Sequence, residues 1–326
     1  MIQPEDDAEP HVEKANETAP VLADAPRDWL RKPFTRRQFF ALCGLGGAGA
    51  AVGGAWSASL YSSSFFDKLQ ITEYHFQSPH WPKNYPSLTI AFLTDLHVGC
   101  QSVGFDELRK IVDQVNAMNC DIILLGGDYL TSKDIKPWQP YYDPEPIAAV
   151  LAPLDAPLGV FSVLGNHDWY NDGPGVWKAL QRQGIQVLEN KPVFIPYGRG
   201  GFWVVGLADH LTRVPQYKKT MRRAYGGHPK IVLSHDPITF EDMPDNAMLQ
   251  LSGHTHGGQV RVPFIGPMVS PTPGTPLDWF YGMVEKEGRH MIVSSGVGTS
   301  RLPIKNTPCE VVKITITALE EAPQKG

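Results

Sequence analysis

The stretch Ile90-Ala-Phe-Leu-Thr-Asp95-Leu-His97-Val-Gly99 is an apolar run that stops at a carboxylate and an imidazole two residues apart. A short apolar segment closed by glycine has the pattern of a buried strand, and neither Asp95 nor His97 suits a strand interior. On this pair alone two readings stand: a strand end that presents both side chains to one point, or a turn-forming aspartate followed by a surface histidine. Three later stretches repeat the pattern: Asp121-Ile-Ile-Leu-Leu-Gly126-Gly-Asp128, Val160-Phe-Ser-Val-Leu-Gly165-Asn166-His167-Asp168 and Leu249-Gln-Leu-Ser-Gly253-His254-Thr-His256. A further one, Lys230-Ile-Val-Leu-Ser-His235-Asp236-Pro237, lacks only the glycine. Open α/β sheets bind ligands beyond the carboxyl ends of their strands, so five strands with this ending are expected to converge on one site.

Between these runs the chain alternates strand and helix patterns. Phe105, Leu108, Ile111, Val112 and Val115 recur at helical spacing, which predicts a sheet-covering helix over 105–118. Shorter helices are expected at 147–151 and 175–183, with 132–146 an irregular loop beside the site. From residue 185 onward short strands dominate. Alternation first and strand-rich sequence later predict an α/β fold of two packed β-sheets with helices outside, over residues 62–320.

The composition is that of a folded soluble domain: 42% of the 326 residues are hydrophobic and 19% charged. The charge is uneven. Residues 1–30 hold eight acidic and two basic residues, whereas the whole chain sums to only −5. That tail is too poor in large apolar residues to fold alone and is expected to be disordered. The remainder is almost neutral, which gives no nucleic-acid footprint. Of the four cysteines, Cys43 lies in the N-terminal apolar segment and Cys100, Cys120 and Cys309 in the body, without the paired spacing of a zinc knuckle or a disulfide framework.

Thr35-Arg-Arg-Gln-Phe-Phe40 precedes a Gly/Ala-rich apolar segment that ends near Leu60. This layout resembles a twin-arginine export signal, so residues 31–61 are expected to be either that signal or an uncleaved N-terminal membrane anchor. The corresponding location is the periplasm or the outer face of the inner membrane, with the twin-arginine export machinery as a partner.

Asp95-x-His97, Gly126-Gly-Asp128, Gly165-Asn-His-Asp168 and Gly253-His-Thr-His256, in that order, together resemble the motifs of the calcineurin-like metallophosphoesterases, over about Leu88 to Glu310. The resemblance implies a four-layer α-β-β-α sandwich of two mixed β-sheets flanked by helices, and two divalent metal ions per chain. Carried over by motif, Asp95, His97 and His256 would hold the first ion, Asn166, His235 and His254 the second, and Asp128 would bridge both. The absence of cysteine from the motifs fits Mn, Fe or Zn in a nitrogen and oxygen shell. The implied reaction is hydrolysis of phosphodiester or pyrophosphate bonds by attack of a metal-bridging hydroxide. His167 would serve the leaving group, with Asp168 orienting its ring.

Two further residues are weaker candidates. Asp209 ends another strand and could support the site, and Arg301, in Gly296-Val-Gly298-Thr-Ser-Arg301, could approach a phosphate. The run from Gly296 to Pro303 resembles the bacterial branch that includes exported phosphodiesterases. Lys305 and Cys309 stand where that branch leads one to expect an arginine and a proline. A membrane-surface alternative is a phospholipid or a nucleotide-linked lipid of the UDP-diacylglucosamine type, with aromatic residues at 138–142 and 279–281 meeting the acyl chain. A third alternative is a non-catalytic metal-binding envelope protein. Replacing Arg36 and Arg37 together with Lys is expected to leave the protein on the cytoplasmic side, measured by fractionation. Equal amounts of variant and parent outside the inner membrane would contradict the twin-arginine route.

Overall fold

A computed structural model describes residues 69–320, apart from 101, 132–140, 263–265, 268–270, 300–304 and 306. The expected acidic tail and export segment lie outside the described residues, as do Trp138 and Arg301.

Alternation along the central strands divides their side chains between two cores. In β2 (Leu88–Leu93), Ile90 and Phe92 face one way while Ala91 and Leu93 face the other. In β3 (Ile122–Leu125) the same split separates Ile122 and Leu124 from Ile123 and Leu125. Strands this apolar on both faces must be covered on both. One face meets α1 (Phe105–Ala117), α2 (Pro144–Leu151) and α3 (Asn166–Arg182), whose Leu108, Ile111, Leu151, Val176 and Leu180 share a cluster with Ala91 and Leu125.

The other face meets a second sheet. In spatial order the first sheet is β1 (Leu69–Ser78), β14 (Cys309–Ala318), β2, β3, β4 (Val160–Ser162) and β5 (Gln186–Val187). The second is β12 (Gly282–Lys286), β13 (Arg289–Val293), β9 (Leu249–Ser252), β8 (Lys230–Leu233), β7 (Gly200–Gly206) and β6 (Lys191–Tyr197), and β10 (Arg261–Val262) pairs with β11 (Gly266–Pro267) as a separate antiparallel ribbon. Both large sheets are mixed: β2 runs parallel to β3 but antiparallel to β14, and β7 runs parallel to β8 but antiparallel to β6. Phe92, Leu124 and Phe161 of the first interlock with Val204, Ile231, Leu251 and Ile292 of the second. Beyond the second sheet, Val205, Val232 and Met291 pack against α4 (Tyr217–Arg223) and the 3-10 turns Pro237–Asp242 and Leu277–Trp279. Four layers result, the last one thin.

Three elements differ from the sequence expectation. α3 begins at Asn166 instead of Gly175, because Gly165 serves as its cap and Asp168 accepts the Gly165 N–H at 2.9 Å; a break at Asp172 separates the two parts. α2 starts at Pro144, proline being well suited to a first helical turn. α4 is only seven residues long, too short for periodicity to disclose.

Candidate metal centre

The carboxyl ends of β2, β3, β4, β8 and β9 meet where the two sheets face each other, and the polar residues that end each run lie there. Their backbones turn sharply. Asp95, His97, Asp128, His254 and His256 all have positive φ, between 43° and 68°. Aspartate and histidine enter this left-handed region more readily than most residues, yet each instance is strained. The turns are tied across strands: Asp95 N–H donates to Gly127 O (2.9 Å), His97 N–H to Asp128 O (3.0 Å), and Gly253 N–H to His235 O (3.0 Å). His254 N–H donates to the Asp95 carboxylate (2.9 Å), a bond from one sheet to the other. A Cβ on Gly165 would collide with both the Asp128 carboxylate and the His235 ring, so this position is restricted to glycine by space.

Hydrogen bonds fix which nitrogen three of the imidazoles offer to a metal. His97 Nδ1 lies 3.1 Å from Leu130 O and His235 Nδ1 2.8 Å from Gly126 O; a carbonyl only accepts, so both Nδ1 atoms carry hydrogen and both Nε2 atoms are left bare. At His254 the order is reversed. Thr272 Oγ1–H donates to Asp236 Oδ2 (2.6 Å) and accepts from His254 Nε2 (2.8 Å), which leaves Nδ1 bare. Bare His235 Nε2 and His254 Nδ1 then face each other at 3.2 Å, and His97 Nε2 faces His256 Nε2 at 3.1 Å. Each pair needs a proton or a metal cation between its nitrogens, since two lone pairs at this distance repel. Two nitrogens bound at ~2.1 Å and at right angles lie about 3.0 Å apart, so the spacing fits a shared ion. His256 Nδ1 is buried without a hydrogen-bond partner.

The charges fit as well. Burial holds His97 down to about 3 and His254 to about 4, and burial with the neighbouring His97 keeps His256 low, so all three are neutral near pH 7. Burial pushes Asp95 up to about 6. Burial would raise Asp128 too, but the charges of His235 and His167 hold it well below the usual carboxylate range. Burial would lower His235, but Asp128 overrides it and raises its proton affinity; a proton there is what a bound cation displaces.

Two groups emerge, joined by a third made of His97, Asp128 and His167. Asp95, His97 and His256 lie with their donor atoms within 4.8 Å of one another, and so do Asp128, His235 and His254. Asn166 Oδ1 joins the second group, 3.2 Å from His235 Nε2. Asp128 Oδ2 stands between them, 3.5 Å from His97 Nε2 and 3.3 Å from His235 Nε2. All seven side chains assigned to metal from the sequence are thus gathered and could hold two ions. His167 is nearby, its ring 4.7 Å from that of His97 and its N–H on Asp128 Oδ1 (2.8 Å).

Other expectations need correction. Asp168 does not orient the His167 ring: its oxygens accept N–H bonds from Asp128, Tyr129, Leu130 and Gly165 at 2.8–3.1 Å, welding the β3 and β4 loops together. Gly296 and Gly298 approach backbone instead of open space. Gly298 N–H donates to Asp95 O (2.7 Å), and a Cβ on Gly296 would meet that of Asp95. Trp279 and Phe280 are core, and Tyr281 hydrogen-bonds Glu310, so these aromatics are not an acyl-chain surface. Asp209 is buried with Oδ2 on Thr212 and Oδ1 unpartnered, and burial pushes it up to about 6 against the opposing charge of His235.

Sequence reasoning gave no supporting role to Asp236 and Thr272, which fix His254, or to Lys305, whose buried ammonium donates to Ser295 O (2.6 Å) and Gly296 O (2.7 Å) behind Asp95. Asp236 was readable as the cap of the Pro237 turn, as it is, through Ile238 N–H at 2.9 Å. Its second contact, to Thr272, spans 36 residues and has no local signal.

A family model described as calcineurin-like phosphoesterase matches residues 88–258. The uncharacterized metallophosphoesterase YkuE of Bacillus subtilis is 30% identical, over 84% of this chain and 94% of its own length. Phosphodiesterase YaeI of Escherichia coli K12 is 29% identical, over 75% and 90% respectively. An uncharacterized metallophosphoesterase of Helicobacter pylori J99 is 28% identical over 72% of this chain and 61% of its own length.

Because the Thr272 hydroxyl bridges His254 and Asp236, which are otherwise 3.7 Å apart, Thr272→Val is expected to weaken divalent-ion affinity by about 10–100-fold, the usual effect of losing a group that orients an imidazole ligand. Dye competition on the purified protein measures it. Unchanged affinity would show that His254 keeps its orientation without Thr272.

Proposed function

The chain belongs to the calcineurin-like phosphoesterase family, hydrolases of phosphoester bonds, and from that premise we propose that it cleaves phosphodiester or pyrophosphate bonds with two divalent ions held by the clustered residues. The observation that carries this reading is the sharing of Asp128: one carboxylate oxygen lies within 3.5 Å of a bare imidazole nitrogen from each group. Asp95, His97 and His256 would hold one ion, Asn166, His235 and His254 the other, and Asp128 would serve both. When bound, two such ions supply a hydroxide nucleophile near neutral pH and positive charge for the phosphoryl oxygens.

The protein's own groups supply the remainder. Asp168 keeps the loops after β3 and β4 in register, so that Asp128, Asn166 and His167 hold their relative positions. His167 is largely buried, with a ring edge-on to His97, and is suited to deliver a proton to the departing oxygen. Asp209 lies in the same buried neighbourhood as His235 and helps balance its charge. Phosphodiesters are the favoured class, in keeping with the name of the Escherichia coli relative. The chain acts outside the cytoplasm after twin-arginine export; the motif at Thr35–Phe40 supports this. Among the described residues, no helix is long and apolar enough to cross a membrane.

A general acid matters in proportion to how badly the leaving group needs a proton. With a nitrophenolate leaving group, His167→Ala is expected to lose little activity. With an alkyl or sugar alkoxide the loss is on the order of 10²–10⁴, with metal content unchanged. If both esters slow equally and metal is retained, His167 instead binds the phosphoryl group. If metal is lost, it is a ligand.

A further inference from the structure

Residues 210–235 contain six Lys and Arg and no Asp or Glu, in a chain whose net charge is −5. Two of the six are accounted for. Lys230 is buried with its ammonium on Gly226 O and His228 O, and Arg213 pairs with Glu189 at 2.9 Å. The other four, Lys218, Lys219, Arg222 and Arg223, all lie on α4 and are exposed. Among the described residues none of the four has a hydrogen bond, an ion pair or a ring contact.

α4 is sharply two-sided. Tyr217 and Met221, with Ala224 just beyond the helix, enter the core beside Trp203, Val205 and Val232. At 3.6 residues per turn the four cations occupy the opposite half of the helix, where nothing in the fold requires them and where they repel one another. Exposed apolar residues stand at both ends: Val214 is 72% exposed and Tyr225 75%. The segment before the helix reaches toward the start of α3, which carries His167. The segment leading into α4 starts at Asp209, and Arg213 lies 4.5 Å over the ring of Trp169, two residues past His167.

We propose that this face docks on an anionic lipid bilayer, with Lys218, Lys219, Arg222 and Arg223 on headgroup phosphates and Val214 and Tyr225 at the headgroup boundary. Cations on one side of a helix, with an aromatic and an aliphatic residue beside them, match the charge and the apolar depth of such an interface. A lipid surface fits better than a nucleic acid, because flanking apolar residues gain nothing from a phosphate backbone. The chain's own apolar stretch at 41–60 is also suited to a membrane. Docking would hold the metal centre beside phosphodiesters of the bilayer, which deepens the phosphodiesterase reading and rests on it only for the choice of substrate.

The test compares the full chain with the variant Lys218→Gln, Lys219→Gln, Arg222→Gln, Arg223→Gln in co-sedimentation with phosphatidylcholine vesicles, with and without phosphatidylglycerol. Each cation near an anionic surface contributes about fivefold in partitioning. The parent should favour the anionic vesicles in a salt-sensitive way, and the variant should lose that preference by on the order of 10² or more. Binding of both proteins to neutral vesicles should be alike, as should their hydrolysis of a soluble nitrophenyl diester, which shows that the variant is folded. A parent with no anionic preference overturns the proposal. So does a variant that keeps it, which would assign the preference to Arg31, Lys32, Arg36 and Arg37 instead. Failure of the phosphodiesterase reading would appear separately, as absent turnover by both proteins.

Discussion

A carboxylate that is 1% exposed, as Asp128 is, cannot remain charged without partners. Its partners come from two directions: His235 after β8, whose proton affinity it raises, and the His167 N–H after β4. The two sheets are therefore held face to face by more than their shared apolar core. At their carboxyl ends, charges and hydrogen bonds take over from Phe92, Leu124 and Leu251. Removing either partner would leave the buried charge undercompensated, which is far costlier than losing a surface pair.

This constraint accounts for the backbone strain. Five of the residues that meet there have positive φ, at a cost on the order of 1–3 kcal/mol each. Such strain persists only when its surroundings over-determine it. Asp95 illustrates how: its N–H and C=O are tied to Gly127 and Gly298, and its carboxylate accepts from Thr94 and His254. Behind it, Lys305 and Glu310 fix the Ser294–Gly296 turn, Glu310 accepting from Ser294 Oγ and Ser295 N–H at 2.9 Å. The donor atoms are thus placed by rigid strand ends and turns, and no large rearrangement is needed to receive cations.

The strand ends were legible because an apolar run that halts at Asp, His or Asn is a local pattern, and five copies of it imply convergence. The same logic correctly gave two sheets and the sheet-covering helix over α1. What escaped was whatever depends on distant contacts. Asp168 looked like a partner for its neighbour His167, but its helical position at the start of α3 turns it toward the main chain of Asp128 and Tyr129. Trp279 and Phe280 looked like a surface because sequence cannot say which aromatics are needed to fill the thin fourth layer. α4 carried too few residues for a period, although its run of cations was visible in the sequence.

The central claim, two cations sharing Asp128, is tested most directly by counting metal. The parent, stripped with chelator and reconstituted with Mn, is predicted to hold two ions per chain by elemental analysis and to regain phosphodiester hydrolysis. Asp128→Asn is predicted to hold fewer than two and to be nearly inactive. Full activity in a stripped parent, or an Asp128→Asn protein that retains both ions and turnover, would contradict the account.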